Sequence, residues 1–377
     1  MKFLVQIARV FVAITFIFSG FVKLVDPLGS AYKFQEYFGA DVLNLEFLIP
    51  FSSVVYSFST PFALPFSIVL IIAEILLGVM LLIGFKPKFT VWSLFLLTLI
   101  FLFLTWYSAY YNKVTDCGCF GDAITLTPWE TFYKNILLIL LIGLLIFKVA
   151  LLKPIFNLKI TKIITFVSAF VFLFITYHVL VHLPLIDFRA YAVGKNIPAG
   201  MIYPEGAKES VYNDTWIYKV NGVENEYTTD EKPWSIEGAT FVDRKTKLIE
   251  KGYEPPIHDF TMEKEGVDFT EFLMQKEKLM LFVMYNLDKS DAVGLQNLKT
   301  VASKALQNGY DVYAFSSSSK ETYEQLKTEY GLEEIELLFC DETTLKTIIR
   351  ANPGIVTLNK GTITGKWNSL DADKVKL

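Results

Sequence analysis

Five apolar runs, each long enough to cross a bilayer, occupy the first 184 or so residues of this 377-residue sequence and set what it can fold into. They are Phe3 to Val25, Leu64 to Phe85, Phe89 to about Tyr107, Phe132 to Leu151 and Ile160 to Leu183. A hydrocarbon core of ~30 Å takes about 20 apolar residues in a helix, which satisfies its own backbone groups where no water is at hand. The first run is too long for a signal-peptide core, lacks an Ala-x-Ala site and leads into Lys23, Asp26 and Pro27, so it is expected to remain as a helix. Past Leu185 the sequence turns charged, and a membrane part is expected to meet a soluble part there.

A 53% hydrophobic and 15% aromatic content is more than a soluble chain carries. The net charge of -4 and the lack of a basic stripe interleaved with aromatics exclude a nucleic-acid partner. Lys and Arg favour the cytoplasmic side of a membrane. With the N-terminus inside, Lys2, Arg9, Lys86, Lys88, Lys148, Lys153, Lys159 and Lys162 fall on that side, against Lys23, Lys33, Lys113 and Lys134 on the other. The loop holding Cys117 and everything after Leu183 are then extracytoplasmic, in an integral inner (cytoplasmic) membrane protein facing the periplasm. Between the first two helices, Asp26 to Ala63 mixes rings with charges and reads either as a segment lying in the interface or as a plain loop.

Two of the three cysteines, Cys117 and Cys119, sit one residue apart in the polar loop between the third and fourth apolar runs. In an oxidising compartment such a pair is expected as a disulfide or a redox-active pair. A bridge across one residue closes a strained ring, and strain makes the bond reducible. Gly118 permits the backbone this needs; Asp116 and Asp122 disfavour a thiolate, and Lys113 favours it. A structural staple and a metal site remain the alternatives, the second incomplete without nearby His.

Glu74, midway along the second apolar run, is costly there and marks either a functional carboxyl, suited to quinone chemistry, or a packing partner for Thr98 or Arg9. His178 and His182 share a helix face and read as interfacial capping residues. Cys340 ends an apolar strand as a buried thiol, and His258 reads as a surface residue.

The block Cys117-Gly118-Cys119-Phe120-Gly121, with Phe18 to Lys23, Asp26-Pro27, Glu74, Gly78 and Gly84, resembles the DoxX/MauE superfamily of four-helix membrane proteins over about residues 1–152. The resemblance implies redox-associated function: methylamine utilisation with a disulfide-rich partner for MauE-like proteins, quinone or thiol redox for DoxX-like ones. A fifth helix, 153–185, and the region after it depart from that pattern.

Residues 186–254 alternate in short segments, Trp216 to Val220 and Glu226 to Thr228, joined by the hairpin signal Asn221-Gly222, and read as a β-rich linker module. Over 255–377 strands alternate with helices: Leu279 to Tyr285, Asp291 to Gln307, Tyr310 to Phe315, Lys320 to Tyr330, Ile335 to Phe339 and Glu342 to Arg350, then a hairpin from Ile355 to Trp367 turning at Lys360-Gly361. This stretch is similar to thioredoxin-like domains: Pro256 to Phe260 resembles their entry segment and Ala351 to Val356 their cis-proline strand. Where those domains carry Cys-x-x-Cys, this chain has Asn286 to Asp291, without sulfur.

The fold class expected is therefore a transmembrane helical bundle, four DoxX/MauE-like helices plus a fifth, then a β-rich linker and a degenerate α/β thioredoxin-like domain. The function expected is thiol–disulfide exchange through Cys117 and Cys119 with thiols of an extracytoplasmic protein partner, with Glu74 serving a quinone. The competing expectation is a non-enzymatic membrane anchor or assembly factor.

Overall fold

The computed structural model describes residues 2–37, 61–111, 118–220, 222–250 and 252–377. Lys113, Asp116 and Cys117 of the cysteine loop, Asn221 of the hairpin turn and residues 38–60 of the 26–63 connection lie outside the described residues. The helices of the first half are α1 (Lys2–Val25), α2 (Pro27–Tyr37), α3 (Ala63–Ile83), α4 (Pro87–Tyr111), α5 (Pro128–Phe147) and α6 (Leu158–Val181). All but α2 are long and apolar enough to cross a membrane, which makes five such helices among the described residues.

The bundle core follows the helical repeat. Val5, Ala8, Val12 and Phe16 form one stripe of α1 and pack with Leu77, Met80 and Leu81 of α3, Leu94 of α4 and Ile142 of α5. Gly20 and Gly78 let α1 and α3 approach closely. A Cβ on Gly20 would lie 2.7 Å from Ile75 Cβ, and one on Gly78 2.9 Å from Ile17 Cγ1. Arg9 closes the far end of the bundle by donating from Nε to the Leu81 carbonyl at 2.9 Å and from Nη2 to that of Leu82, also at 2.9 Å. Both carbonyls lie in the last turn of α3, where the i+4 donors of a helix interior are missing. The 26–63 connection opens as helix α2, which turns Ala31 and Tyr37 inward.

After α6 come α7 (Ile197–Met201) and the strands β1 (Val211–Val220), β2 (Val223–Thr228) and β3 (Thr240–Glu250). These strands make an antiparallel sheet in the order β2-β1-β3. The expected hairpin pairs Val220 with Val223, and β3 is an addition to it.

Next follow β4 (Glu263–Lys264), β5 (Val267–Asp268), α8 (Thr270–Met274), β6 (Leu279–Val283), α9 (Ala292–Gln307) and β7 (Asp311–Ser316). The chain ends with α10 (Lys320–Tyr330), β8 (Glu336–Phe339), α11 (Glu342–Ile348), β9 (Gly354–Asn359) and β10 (Thr362–Asn368). The sheet order is β10-β9-β6-β7-β8-β4-β5. Strands β6, β7 and β8 are parallel, while β9 runs antiparallel to both β6 and β10. Central β6 is apolar throughout because both faces are covered. Leu279, Leu281 and Val283 enter the core that holds Phe260 and Leu345, and Met280 and Phe282 enter the core under α9 and α10.

Within the expected 186–254 module, the part up to Met201 packs onto this sheet: Tyr191 and Ile197 belong to its core. Asn196 bridges to Thr362. The α/β layer is tied to the helical bundle at the end of α6 and beside the start of α2. Asn368 Nδ2 donates to the Val181 and His182 carbonyls at the end of α6, at 3.0 and 3.1 Å. Arg350, just past α11, reaches Asp26 between α1 and α2.

Candidate functional site

The loop from Gly118 to Thr127 joins α4 to α5 on the side of the bundle that carries the α/β layer. Its far end is set by sequence: Thr127 caps α5 through a reciprocal box with Glu130, and Pro128 opens the helix. Its near end is held by packing. Gly118 has φ +62, the left-handed backbone anticipated for it. A Cβ there would meet Lys33 Cγ of α2 at 3.2 Å. Phe120 tilts against Phe18 at 5.6 Å between centroids, with Lys134 Nζ 4.5 Å from its ring centre.

Beneath this loop lies a buried polar cluster. Glu74 is 2% exposed. Lys23 Nζ donates to Glu74 Oε2 at 2.8 Å and also approaches the Phe101 ring, 5.2 Å from its centroid. Ser19 Oγ lies 2.6 Å from Glu74 Oε1 and 2.6 Å from the Cys119 carbonyl oxygen. One hydroxyl proton serves one of these acceptors at a time, so Ser19 couples the carboxyl of α3 to the backbone of the cysteine loop. Glu74 thus pairs with neither of the partners expected for it. Arg9 is spent at the other end of α3, and the Thr98 hydroxyl donates to the Leu94 carbonyl of its own helix at 2.7 Å.

Cys119 is half-buried. It lines a narrow cleft of about 20 Å3 with Glu74, Lys23, Lys134 and Asn135. It also borders a larger, mainly apolar cavity of about 200 Å3 between α2, α3 and α4, walled by Phe34, Leu70, Ile71 and Leu104. Lys23 lines both spaces. An ammonium there can stabilise negative charge that develops on sulfur when a disulfide opens. Of the cysteine pair, then, Cys119 is brought to Glu74, and Cys117 falls outside the described residues.

The loop is overhung by Arg350, whose side chain is 7% exposed. Its Nε donates to Asp26 Oδ2 at 2.9 Å, its guanidinium stacks 5.3 Å from the Tyr32 ring, and Nη2 lies 3.9 Å from Asp122 Oδ2. Burial opposes the charge of Arg350, but Asp26 and Asp122 more than offset that and hold its pKa above the ordinary value. Asp122, read as unfavourable to a thiolate, therefore has a cation beside it.

The remaining candidates lie apart from this site. His182 caps α6 and pairs through Nδ1 with Asp371 at 2.7 Å, with the His178 ring 4.6 Å away. Burial pushes the Cys340 thiol up to about 12. His258 is exposed beside Asp259. Among the described residues no group of three or more His, Cys, Asp or Glu is placed to hold a metal. Ser19 and Lys23 were read in the sequence only within the Phe18 to Lys23 block and not as partners of Glu74, although they continue the inward stripe of α1 at helical spacing. A polar residue on an apolar stripe is the signal that would have found them.

The family model of methylamine utilisation protein MauE matches residues 1–148, the bundle through α5 with the Cys-Gly-Cys-Phe-Gly loop inside it. Residues 1–148 are thus similar to the MauE family. Helix α6 and the α/β layer extend beyond it. A model for a domain of unknown function (DUF8463) matches residues 212–251, the three-stranded sheet. No curated protein and no solved structure matches the chain. Taken with the five helices long and apolar enough to span, the MauE match supports a multi-pass membrane protein in contact with lipid.

Proposed function

We propose that the chain is a redox-associated membrane protein that exchanges thiols and disulfides through Cys117 and Cys119 on the extracytoplasmic side of an inner membrane. The observation that carries this reading is the hold on Cys119: its carbonyl is tied through Ser19 to the Glu74–Lys23 pair, and its residue borders both the polar cleft and the apolar cavity. In the exchange, two partner thiols and the loop disulfide give a partner disulfide and two loop thiols. A quinone in the apolar cavity would then take two electrons and two protons from those thiols, restoring the loop disulfide and leaving as the quinol. Glu74, in the adjoining polar cleft, would accept or return a proton beside Cys119.

The α/β layer is read as thioredoxin-like. Its core order β10-β9-β6-β7, with β6 and β7 parallel and joined through α9, supports this. At the start of α9, where sulfur would be needed, Asn286 instead accepts from Asn352 Nδ2 at 2.7 Å through its carbonyl. The layer serves to cover the loop and receive the partner.

A membrane anchor or assembly factor is the second reading, favoured by the same sulfur-free segment. Differential alkylation of the purified chain separates the two. A Cys117–Cys119 bond that opens with reductant and re-forms with quinone supports exchange; a bond that never forms, or never opens, supports the anchor. Replacing Cys119→Ala should trap the thiol partner on Cys117 as a mixed disulfide. Sidedness is checked by an impermeant maleimide, which should label a cysteine placed at Lys289 in intact cells and leave one placed at Lys88 unmodified.

A further inference from the structure

The wall of the apolar cavity between α2, α3 and α4 holds a hydroxyl that the packing leaves unused, that of Ser67. Ser67 lies in the second turn of α3 and is 3% exposed. A hydroxyl inside a helix can donate to the carbonyl four residues back, and Thr98, Thr105 and Thr165 of this bundle do so at 2.7, 2.8 and 2.9 Å. Ser67 makes no bond of that kind to Ala63, and among the described residues its hydroxyl has no other partner. Lys23 and Thr105, in the same wall, are spent on Glu74 and on the Phe101 carbonyl. A buried hydroxyl without a partner is costly among apolar groups, so the space that Ser67 lines is where an acceptor belongs.

The surroundings of Ser67 narrow the kind of acceptor. Leu70, Ile71, Phe101 and Leu104 wall the cavity, and Ile100, which lines it too, is 49% exposed on the outside of α4. For a helix long and apolar enough to span, that outside is lipid, so the cavity is entered from the bilayer. Such an entrance selects a lipid-soluble ligand. The volume of about 200 Å3 falls below the about 300–1,000 Å3 of a site that encloses a whole drug-sized molecule. It takes one ring system and leaves any lipid tail outside. Cys119 borders the same space, so a ring fastened at Ser67 shares it with the cysteine loop.

We infer that Ser67 is the residue that seats a quinone ring in this cavity, its hydroxyl donating to a ring carbonyl while the tail lies in the lipid beside Ile100. The carbonyl site stands on Ser67 and the apolar lining. That the ring is a quinone rests on the exchange reading, which needs an acceptor of two electrons and two protons next to the loop thiols. The oxygen bound to Ser67 keeps a lone pair for it in the quinone and in the quinol alike. Ser67 therefore serves binding and not the electron-transfer step.

The test uses the full chain in lipid nanodiscs, with duroquinone, whose fully substituted ring cannot add thiols, and durene, the same methylated ring without carbonyls. Duroquinone should bind the double variant Cys117→Ser/Cys119→Ser above the level of protein-free nanodiscs. Adding Ser67→Ala should weaken that binding about fivefold, the worth of one hydrogen bond, and leave that of durene unchanged. The thermal midpoint of the ligand-free chain should not fall, because Ser67→Ala removes no bond within the protein. In the chain with both cysteines reduced, Ser67→Ala should raise the KM for duroquinone by a similar factor at unchanged kcat. No duroquinone binding, binding indifferent to Ser67, durene bound as tightly as duroquinone, or a fallen midpoint overturns the site. Binding that depends on Ser67 without reduction by the loop thiols upholds the site and overturns the quinone step of the exchange reading; reduction indifferent to Ser67 does the reverse.

Discussion

Ser19, Glu74 and Lys23 are unremarkable apart, yet each restrains the next. Lys23 and Glu74 are 11% and 3% exposed as side chains. Neither charge is tolerable there without the other, because removing one partner of a buried pair leaves the second uncompensated. Glu74→Gln should therefore lower stability by about 3–5 kcal/mol, read as a fall in thermal midpoint in detergent. The double change Glu74→Leu/Lys23→Met should recover most of the loss. A single variant as stable as the parent would show that the pair does not hold the bundle. Ser19→Ala is the milder change, since it frees the Cys119 carbonyl and leaves the ion pair; hydrogen exchange should rise in the 118–122 loop with little change in midpoint.

At the scale of elements, Arg350 ties α11 to the α1–α2 elbow, with Lys346 of α11 beside it over the Tyr32 ring. Arg350 gives Nε to Asp26, Nη1 to the Lys346 carbonyl and its face to Tyr32, so the contact combines charge, hydrogen bonds and ring stacking. Asp26→Ala should raise hydrogen exchange in α2 and α11 and leave α9, on the far face of the sheet, unaffected. Equal change in α9 would mean that the substitution unfolds the layer rather than undocking it. The start of α5 offers an independent check. Thr127→Ala removes the side-chain half of the capping box, leaves the backbone N–H of residue 127 on Glu130, and should cost about 1 kcal/mol, seen as faster exchange over the first turn of α5.

Across the whole molecule, the segment after α6 is fastened to β10 by Asp187, which accepts from Arg189 Nε at 2.7 Å and Lys366 Nζ at 2.6 Å. Burial alone would raise the Asp187 pKa; the two cations outweigh burial and hold it below the ordinary carboxylate value. A carboxyl lowered on folding contributes stability that is present above its unfolded value of about 3.9 and lost as pH falls through the folded one. Protection of the 184–191 segment from proteolysis should therefore collapse below about pH 4, and Asp187→Asn should remove that step. Lys366 works in the same sense at alkaline pH. Burial, with Arg189 beside it, lowers its ammonium to about 8, so its contribution to stability grows as pH rises from there towards the unfolded value of about 10.4.

What was legible in the sequence was whatever repeats along it. Spanning helices announce themselves by length and apolarity, so all five runs emerged with ends within a few residues. The apolar run at Leu279 and the alternation around Trp216 marked strands for the same reason. Short β4 and β5, α7 and the third strand of the small sheet were not found, because elements of that size, or without alternation, are made by their neighbours rather than by their own pattern. The site divides in the same way. Cys119 and Glu74 were conspicuous by type and setting, one a thiol between membrane helices and the other a carboxyl inside one. That Glu74 belongs with Lys23 and Ser19, and Arg350 with Asp26, was decided only by the packing of α1 on α3 and of α11 on the elbow. An ion pair depends on separations of a few ångströms, and these join positions 51 and 324 residues apart in the chain, a distance over which no local pattern carries information.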